Sequence, residues 1–78
     1  MKVEVIVSLK EGVLDPQGKA ICHALSSLGY ESVKNANVGK VITLEMVGED
    51  KEKVYKEVEA MCESLLANVV IEDYKIKM

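Results

Sequence analysis

Arginine, tryptophan and phenylalanine are absent from this chain of 78 residues, and tyrosine occurs only three times. All ten positively charged residues are lysines, and 13 acidic residues bring the net charge to −3. Nucleic-acid binding relies on a basic surface, on arginine forks and on stacking aromatic rings. The composition therefore argues against a nucleic-acid partner, and its sign argues against an anionic membrane surface.

Cysteine and histidine are also scarce, and no apolar run approaches the ~20 residues that span a membrane. The two cysteines, Cys22 and Cys62, form no CxxC pair and are too few for a disulfide framework. We interpret both as small buried apolar side chains. The N-terminus alternates like a strand and lacks the apolar core of a secretory signal. We therefore expect a cytoplasmic protein without a membrane segment.

The length predicts a single domain over residues 1–78. The scaling of surface with mass gives a folded surface of roughly 4,700 Å² and burial of roughly 60% of the unfolded chain's surface. Hydrophobic residues make up 49% of the chain, which is ample for folding. The core is nevertheless thin, and there is little room for a deep substrate cavity.

The hydrophobic pattern predicts, in chain order, strand 2–10, helix 15–28, extended stretch 33–47, helix 50–67 and strand 69–77. The third element fits a hairpin or one long bent strand, and the lack of an Asn-Gly or Asp-Gly pair favours the bent strand. This order predicts an α+β two-layer sandwich of ferredoxin-like type, with two helices on one face of a mainly antiparallel sheet. The other face then has no helical cover, so we expect a second subunit to contact it.

Capping residues mark the predicted helix ends. Asp15 is a good N-cap for the first helix, and Pro16 suits the first helical position. Gly29 can take the left-handed conformation that ends this helix, and Asn68 is a plausible left-handed stop for the second.

No residue pattern points to catalysis, a metal or a cofactor. His23 is the only histidine and is predicted to be exposed, without metal-ligating neighbours. Glu72 and Asp73 are adjacent on a strand and point to opposite faces. The glycines match no phosphate-binding motif. We therefore predict a non-catalytic binding or assembly module whose candidate partner or oligomer contacts are Ile6, Asp15, Gln17, His23, Gly39 and Lys40.

Within this set, Gly39 and Lys40 place a glycine and a charge inside an otherwise apolar strand. A partner contact explains that pattern, and so does a β-bulge carrying a solvated lysine. Ile6 is a lone apolar residue on the polar face of its strand, as expected for a contact with a second chain.

Three segments together resemble a known family. They are Asp15-Pro16-Gln17-Gly18 at the first helix, Val38-Gly39-Lys40 in the long strand, and residues 65–74, of sequence LLANVVIEDY. In this order and at this length the chain resembles the PurS family, the small subunit of phosphoribosylformylglycinamidine synthase. Members of that family often carry an arginine before the Val-Gly-Lys segment, where this chain has Asn37, and the resemblance therefore adds Asn37 to the candidate partner contacts.

The resemblance implies a role in the fourth step of purine synthesis, within an ATP-dependent C–N ligase that uses glutamine as amido donor. It implies a homodimer, with further pairing of dimers left open, that joins a glutaminase subunit (PurQ) to a synthetase subunit (PurL) and assists ammonia transfer. ATP and Mg²⁺ are then used by the synthetase, and this chain binds no cofactor. A regulatory ligand-binding domain of the ACT kind, which shares the sandwich, is the alternative interpretation.

Overall fold

The computed structural model describes all 78 residues and has three strands and two helices. The strands form one antiparallel sheet in the order β2-β1-β3. The α+β class predicted from the sequence is therefore confirmed. In chain order the elements are β1 (Lys2–Leu9), α1 (Pro16–Ser27), β2 (Lys40–Glu45), α2 (Lys51–Met61), which continues as a π-helical turn (Cys62–Leu66), and β3 (Glu72–Lys77).

The core lies between α2 and one face of the sheet. Alternate residues of β1 face α2 and are fully buried, because the side chains of a strand alternate between its two faces. The apolar positions of α2 recur at helical spacing and meet them. The buried core residues are Val3, Val5, Val7, Val54, Val58, Cys62 and Ala67.

The π-helical turn changes which residues at the end of α2 reach the core. Helical spacing from Val58 and Cys62 predicts that Leu65 is buried, yet Leu65 is 82% exposed. A π-turn contains more residues than an α-turn. The extra residue turns Leu66 and Ala67 towards the core instead.

The other face of the sheet is open and mostly charged. Its one apolar cross-strand pair is Ile6 opposite Val41. Two opposite-charge pairs flank it, because Lys2 faces Glu45 across the β1–β2 ladder and Glu4 faces Lys77 across the β1–β3 ladder. The apolar surface that we expected on this face is thus confined to Ile6 and Val41.

Helix α1 does not pack on the sheet of its own chain. Gly18 is its only buried residue, while Ile21 is 45% exposed and Leu28 74% exposed. The chain is consequently elongated, with extents of 49 × 23 × 14 Å and a radius of gyration of 16.0 Å. A compact domain of this length has a radius of gyration of about 11.5 Å. The packing of α1 is thus where the structure departs from two helices on one sheet face.

Only part of the stretch 33–47 pairs with another strand. Residues 40–45 form β2, whereas 33–39 have no strand partner within the chain. Asp15, Pro16 and Gly29 occupy the predicted cap positions of α1, with Gly29 at φ 98°. The prediction of a left-handed backbone conformation at Asn68 is wrong, because no residue other than glycine has a positive φ. The helical segment ends at Ala67, whose backbone is extended, and the Asn68 side chain accepts the Val70 amide in the turn that follows.

Candidate interaction site

A groove runs between α1 and the segment 33–37 that follows it in the chain. Its volume is about 530 Å³, a size typical of ligand-binding clefts, and it is open to solvent. It brings together three of the predicted contact residues, Asp15, His23 and Asn37. The groove is lined by Val13, Leu14, Asp15, Lys19, Cys22, His23, Ser26, Val33, Lys34, Asn35, Ala36 and Asn37.

Asp15 fixes one end of this groove. One carboxylate oxygen accepts the Gly18 amide over 2.9 Å, as an N-cap does, and the other accepts the Val38 amide over 2.8 Å. The hydrogen bonds from Val38 and then Gly18 hold the pKa of Asp15 below its ordinary value of 3.8. Asp15 is therefore ionised at neutral pH and ties the start of α1 to the segment that leads into β2.

Two further contacts hold α1 against the same segment. A Cβ atom at Gly18 would lie 2.0 Å from the carbonyl oxygen of Ala36, so only glycine permits this approach. The Cys22 thiol lies 3.6 Å from the carbonyl oxygens of Val33 and Lys34 and donates weakly to them. The prediction of two buried cysteines is therefore confirmed for Cys62, which lies in the core, and is wrong for Cys22, which is only half-buried against backbone.

Gly39 and Lys40 lie where this segment enters β2. A Cβ atom at Gly39 would lie 2.8 Å from the carbonyl oxygen of Val7, so the glycine is needed for a close approach to β1. Lys40 pairs with Val7 in the β1–β2 ladder, and its exposed side chain has no ion-pair partner. This close approach to β1 explains why position 39 is a glycine. The charge of Lys40 has no partner within the chain and is available to a partner subunit.

The two remaining predicted contacts lie elsewhere. Ile6 is on the open face of the sheet, and Gln17 is exposed on the first turn of α1 outside the groove lining. The seven predicted residues therefore do not form one site. Sequence reasoning also missed Lys19 and Lys34, which line the groove, because their proximity depends on the packing of 33–37 along α1.

Apart from the groove, titratable side chains lie close together where the end of α2 and its π-helical turn meet β3. They are Glu59, Cys62, Glu63 and Tyr74. The nearby carboxylate of Glu63, and then burial, raise the pKa of Tyr74 to about 12, so this phenol stays protonated at neutral pH. Burial, and then the nearby Glu63 and Glu59, raise the pKa of the Cys62 thiol. Such a thiol is protonated and poorly nucleophilic at neutral pH.

No three histidine, cysteine, aspartate or glutamate side chains are grouped so as to hold a metal ion. Neither helix has the length and the apolar character needed to cross a membrane.

A thin core, a projecting helix and open grooves define a small α+β module. The family model for PurS, described as phosphoribosylformylglycinamidine (FGAM) synthase, matches residues 2–78. The chain belongs to the PurS family, and membership favours the assembly-subunit interpretation over an ACT-like domain.

Relatives and solved structures agree with this assignment. The chain is 52% identical over 77 residues to the phosphoribosylformylglycinamidine synthase subunit PurS of Methanocaldococcus jannaschii, covering 99% of this chain and 93% of that one. It resembles the structure of Bacillus subtilis PurS with a TM-score of 0.87 and 50% identity, over 97% and 94% of the two chains. It also matches a chain in the structure of PurLQS from Thermotoga maritima, with a TM-score of 0.88, 38% identity and 97% and 93% coverage.

Proposed function

We propose that this chain is the small subunit of an FGAM synthase complex in the cytoplasm. The complex converts formylglycinamide ribonucleotide, glutamine, ATP and water to formylglycinamidine ribonucleotide, glutamate, ADP and phosphate. Within it, this chain joins the glutaminase (PurQ) to the synthetase (PurL) and assists the passage of ammonia between them. The observation that carries the proposal is the match to the PurS family over residues 2–78. The similarity to a chain of the Thermotoga maritima PurLQS structure supports it.

The arrangement of side chains supports a non-catalytic role for this subunit. A glutaminase needs an activated nucleophile, and the two thiols are poorly suited to that task. Cys62 is buried with a raised pKa, and Cys22 packs against backbone carbonyls. The glycines form no phosphate-binding loop, and we assign ATP and Mg²⁺ to the synthetase as part of the same proposal.

Reconstitution from purified subunits tests this role. The pure chain is expected to hydrolyse neither glutamine nor ATP. Added to the glutaminase and the synthetase, it should restore glutamine-dependent amidine formation, while formation with free ammonia should depend on it far less, because ammonia from bulk solvent bypasses transfer between subunits. A glutamine-dependent rate that is unchanged when the chain is omitted would refute the assignment.

We further propose that the chain acts as a homodimer. Its accessible surface is 6110 Å², roughly 1,400 Å² more than the size scaling gives for a compact monomer. A standard protein interface buries about 800 Å² per partner. The surplus surface is therefore large enough for a stable self-interface.

The outer edge of β2 is one part of the proposed interface. Met1 and Met46 exchange both backbone hydrogen bonds at 2.7 Å, so the even-numbered residues of β2 bond to β1. The odd-numbered residues Val41, Thr43 and Glu45 then direct their backbone groups outward, where the sheet has no further strand. An unpaired edge of this kind is a template for another strand.

The free edge continues through the segment before β2. The carbonyl of Ala36 and the amide of Val38 face α1, in the same even parity. An antiparallel pairing of two copies centred on Val41 would set Val38 opposite Leu44 and would extend both sheets. On the helical face this register sets Val38 against Leu44, an apolar cross-strand pair of the kind that stabilises a sheet, and Lys40 against Ile42.

The same pairing gives α1 a surface to cover. Because Asp15 and Gly18 hold α1 against 33–38, α1 of one copy would lie beside the sheet of the other. An open apolar hollow of about 570 Å³ is available there between β2 and α2. Its lining includes Leu44, Met61 and the exposed Leu65. Two copies would then complete, between them, the ferredoxin-like arrangement of two helices on one sheet face.

Sedimentation and hydrogen exchange test this dimer together. We expect a dimer at micromolar concentration, with slow exchange at the amides of Val41 and Thr43, which have no acceptor within one chain. Leu28→Ser and Leu65→Ser should both weaken the dimer, whereas Val70→Ser, at an equally exposed apolar residue outside the hollow, should not. A dimer in which the odd-numbered amides exchange freely would place the interface elsewhere.

A further inference from the structure

The groove beside α1 faces away from the surface that the proposed dimer would use. Successive residues of an α-helix are about 100° apart around its axis. The groove residues Lys19, His23 and Ser26 therefore cluster on one side of α1, nearly opposite the apolar stripe of Ile21, Leu25 and Leu28. When a second copy covers the stripe, the groove remains open to a different partner.

The groove is lined by two lysines and one carboxylate, so its lining has a net charge of +1. The only ion pair in the structure joins Lys10 and Asp73, so Lys19 and Lys34 have no carboxylate partner. Asp15 is the one acidic residue of the lining, and its two oxygens already accept the amides of Gly18 and Val38. Two unpaired lysines thus line a cleft in a protein whose net charge is −3.

The remaining lining is suited to a polypeptide. Asn35 and Asn37 bring side-chain amides that accept and donate hydrogen bonds, and neither forms a side-chain hydrogen bond within the chain. The groove is open to solvent, and it runs between a helix and an unpaired segment of chain. An extended peptide fits such a site, and carboxylates complement its charge.

We propose that this groove receives an acidic, extended segment of an enzyme subunit, with carboxylates of that segment against Lys19 and Lys34. The inference rests on the proposed function, since it names the surface through which the subunit contacts a partner enzyme. It assigns that contact to the side of α1 that the dimer leaves free, so self-association and partner binding use separate surfaces of one helix.

Charge removal at the two lysines tests the inference. The double variant Lys19→Gln/Lys34→Gln should bind the purified synthetase or glutaminase about tenfold more weakly at low salt, and the deficit should shrink as salt screens the charges. The matched control Lys53→Gln/Lys75→Gln removes the same charge from exposed positions outside the groove. Lys19→Arg/Lys34→Arg should restore binding because it keeps both charges.

The possible outcomes distinguish a failure of the groove inference from a failure of the proposed function. If the wild-type chain binds an enzyme subunit and the groove variant binds it as tightly as the control variant does, the groove inference alone would be overturned. Loss of the dimer in the groove variant would assign the groove to the self-interface and would also overturn it. A wild-type chain that binds neither enzyme subunit would overturn both the inference and the proposed function.

Discussion

Asp15 and Val38 are 23 positions apart, yet the Val38 amide donates to the Asp15 carboxylate over 2.8 Å. The same carboxylate caps α1 through the Gly18 amide. One side chain therefore starts the first helix and positions the segment that enters β2. This bond determines where the projecting helix lies relative to the free strand edge and to the groove.

Asp15→Ala is expected to destabilise the protein more than Asp50→Ala does. Asp50 caps α2 through the amides of Glu52 and Lys53 only, and loss of such a cap costs about 1 kcal/mol. Asp15→Ala loses a cap and also leaves the Val38 amide unpaired. Urea unfolding of both variants at pH 7 measures the difference, and equal midpoints would contradict the dual role.

The contribution of Asp15 should disappear in acid. Its pKa is lowered in the folded state, so its stabilisation is fully present above the ordinary value of 3.8 and is lost as the pH falls through the lower folded value. The gap in urea midpoint between wild type and Asp15→Ala should therefore narrow progressively below pH 3.8. A gap that stays constant down to pH 2 would show that the charged form has no advantage over the neutral acid.

Gly18→Ala should destabilise the protein, although alanine normally favours a helix over glycine by about 1 kcal/mol. The added Cβ would meet the Ala36 carbonyl oxygen at 2.0 Å, and a backbone atom cannot move aside as a flexible side chain does. Thermal unfolding measures the sign of the effect, and Ser27→Ala at the exposed end of the same helix is the control. A higher melting temperature for Gly18→Ala would show that the segment 33–38 is free to move away.

Local patterns predicted the parts of this fold that depend on local physics. The alternation in β1, the cap at Asp15 and the left-handed Gly29 were all evident, because each depends on residues within one turn or one strand. The exposure of Leu65 was not evident from the sequence, because a π-turn inserts a residue without an obvious sequence signal. Helix periodicity alone therefore failed at the end of α2.

Longer-range features were harder to derive. The apolar stripe of α1 correctly predicted a helix, but nothing in that stripe indicates that α1 leaves the sheet of its own chain uncovered. Likewise Lys19 and Lys34 are 15 positions apart and become neighbours in the groove only through the Asp15–Val38 and Gly18–Ala36 contacts. Such contacts depend on single atoms rather than on periodicity, so composition and spacing carry little trace of them.

The two thiols should differ in reactivity. Burial raises the pKa of Cys62 and excludes solvent, whereas Cys22 is only half-buried, beside an open groove. At pH 8 an alkylating reagent should modify one thiol per folded chain, at Cys22, and both in urea. Mass spectrometry locates the label, and fast modification of Cys62 in the folded protein would contradict its place in the core.

Cys62→Ala should lower the free energy of unfolding by something on the order of 1 kcal/mol, because it leaves a small cavity beside Val58.

Lys40→Ala should reduce glutamine-dependent amidine formation more than ammonia-dependent formation in the reconstituted complex. Lys40 is exposed and unpaired at the start of β2, next to the glycine that must approach Val7, so its position is fixed while its charge is free to meet a partner. A contact that aligns the two enzyme subunits affects ammonia delivery between them, whereas free ammonia reaches the synthetase from solvent. Removing an exposed charge of this kind weakens a contact by about 1 kcal/mol or less, so a several-fold fall in the glutamine-dependent rate is expected. Lys75→Ala, at an exposed position on the open sheet face, is the matched control and should leave both rates unchanged. Equal rates with both nitrogen sources for Lys40→Ala, together with normal assembly, would make Lys40 a solvated surface lysine and leave Gly39 with a purely structural role.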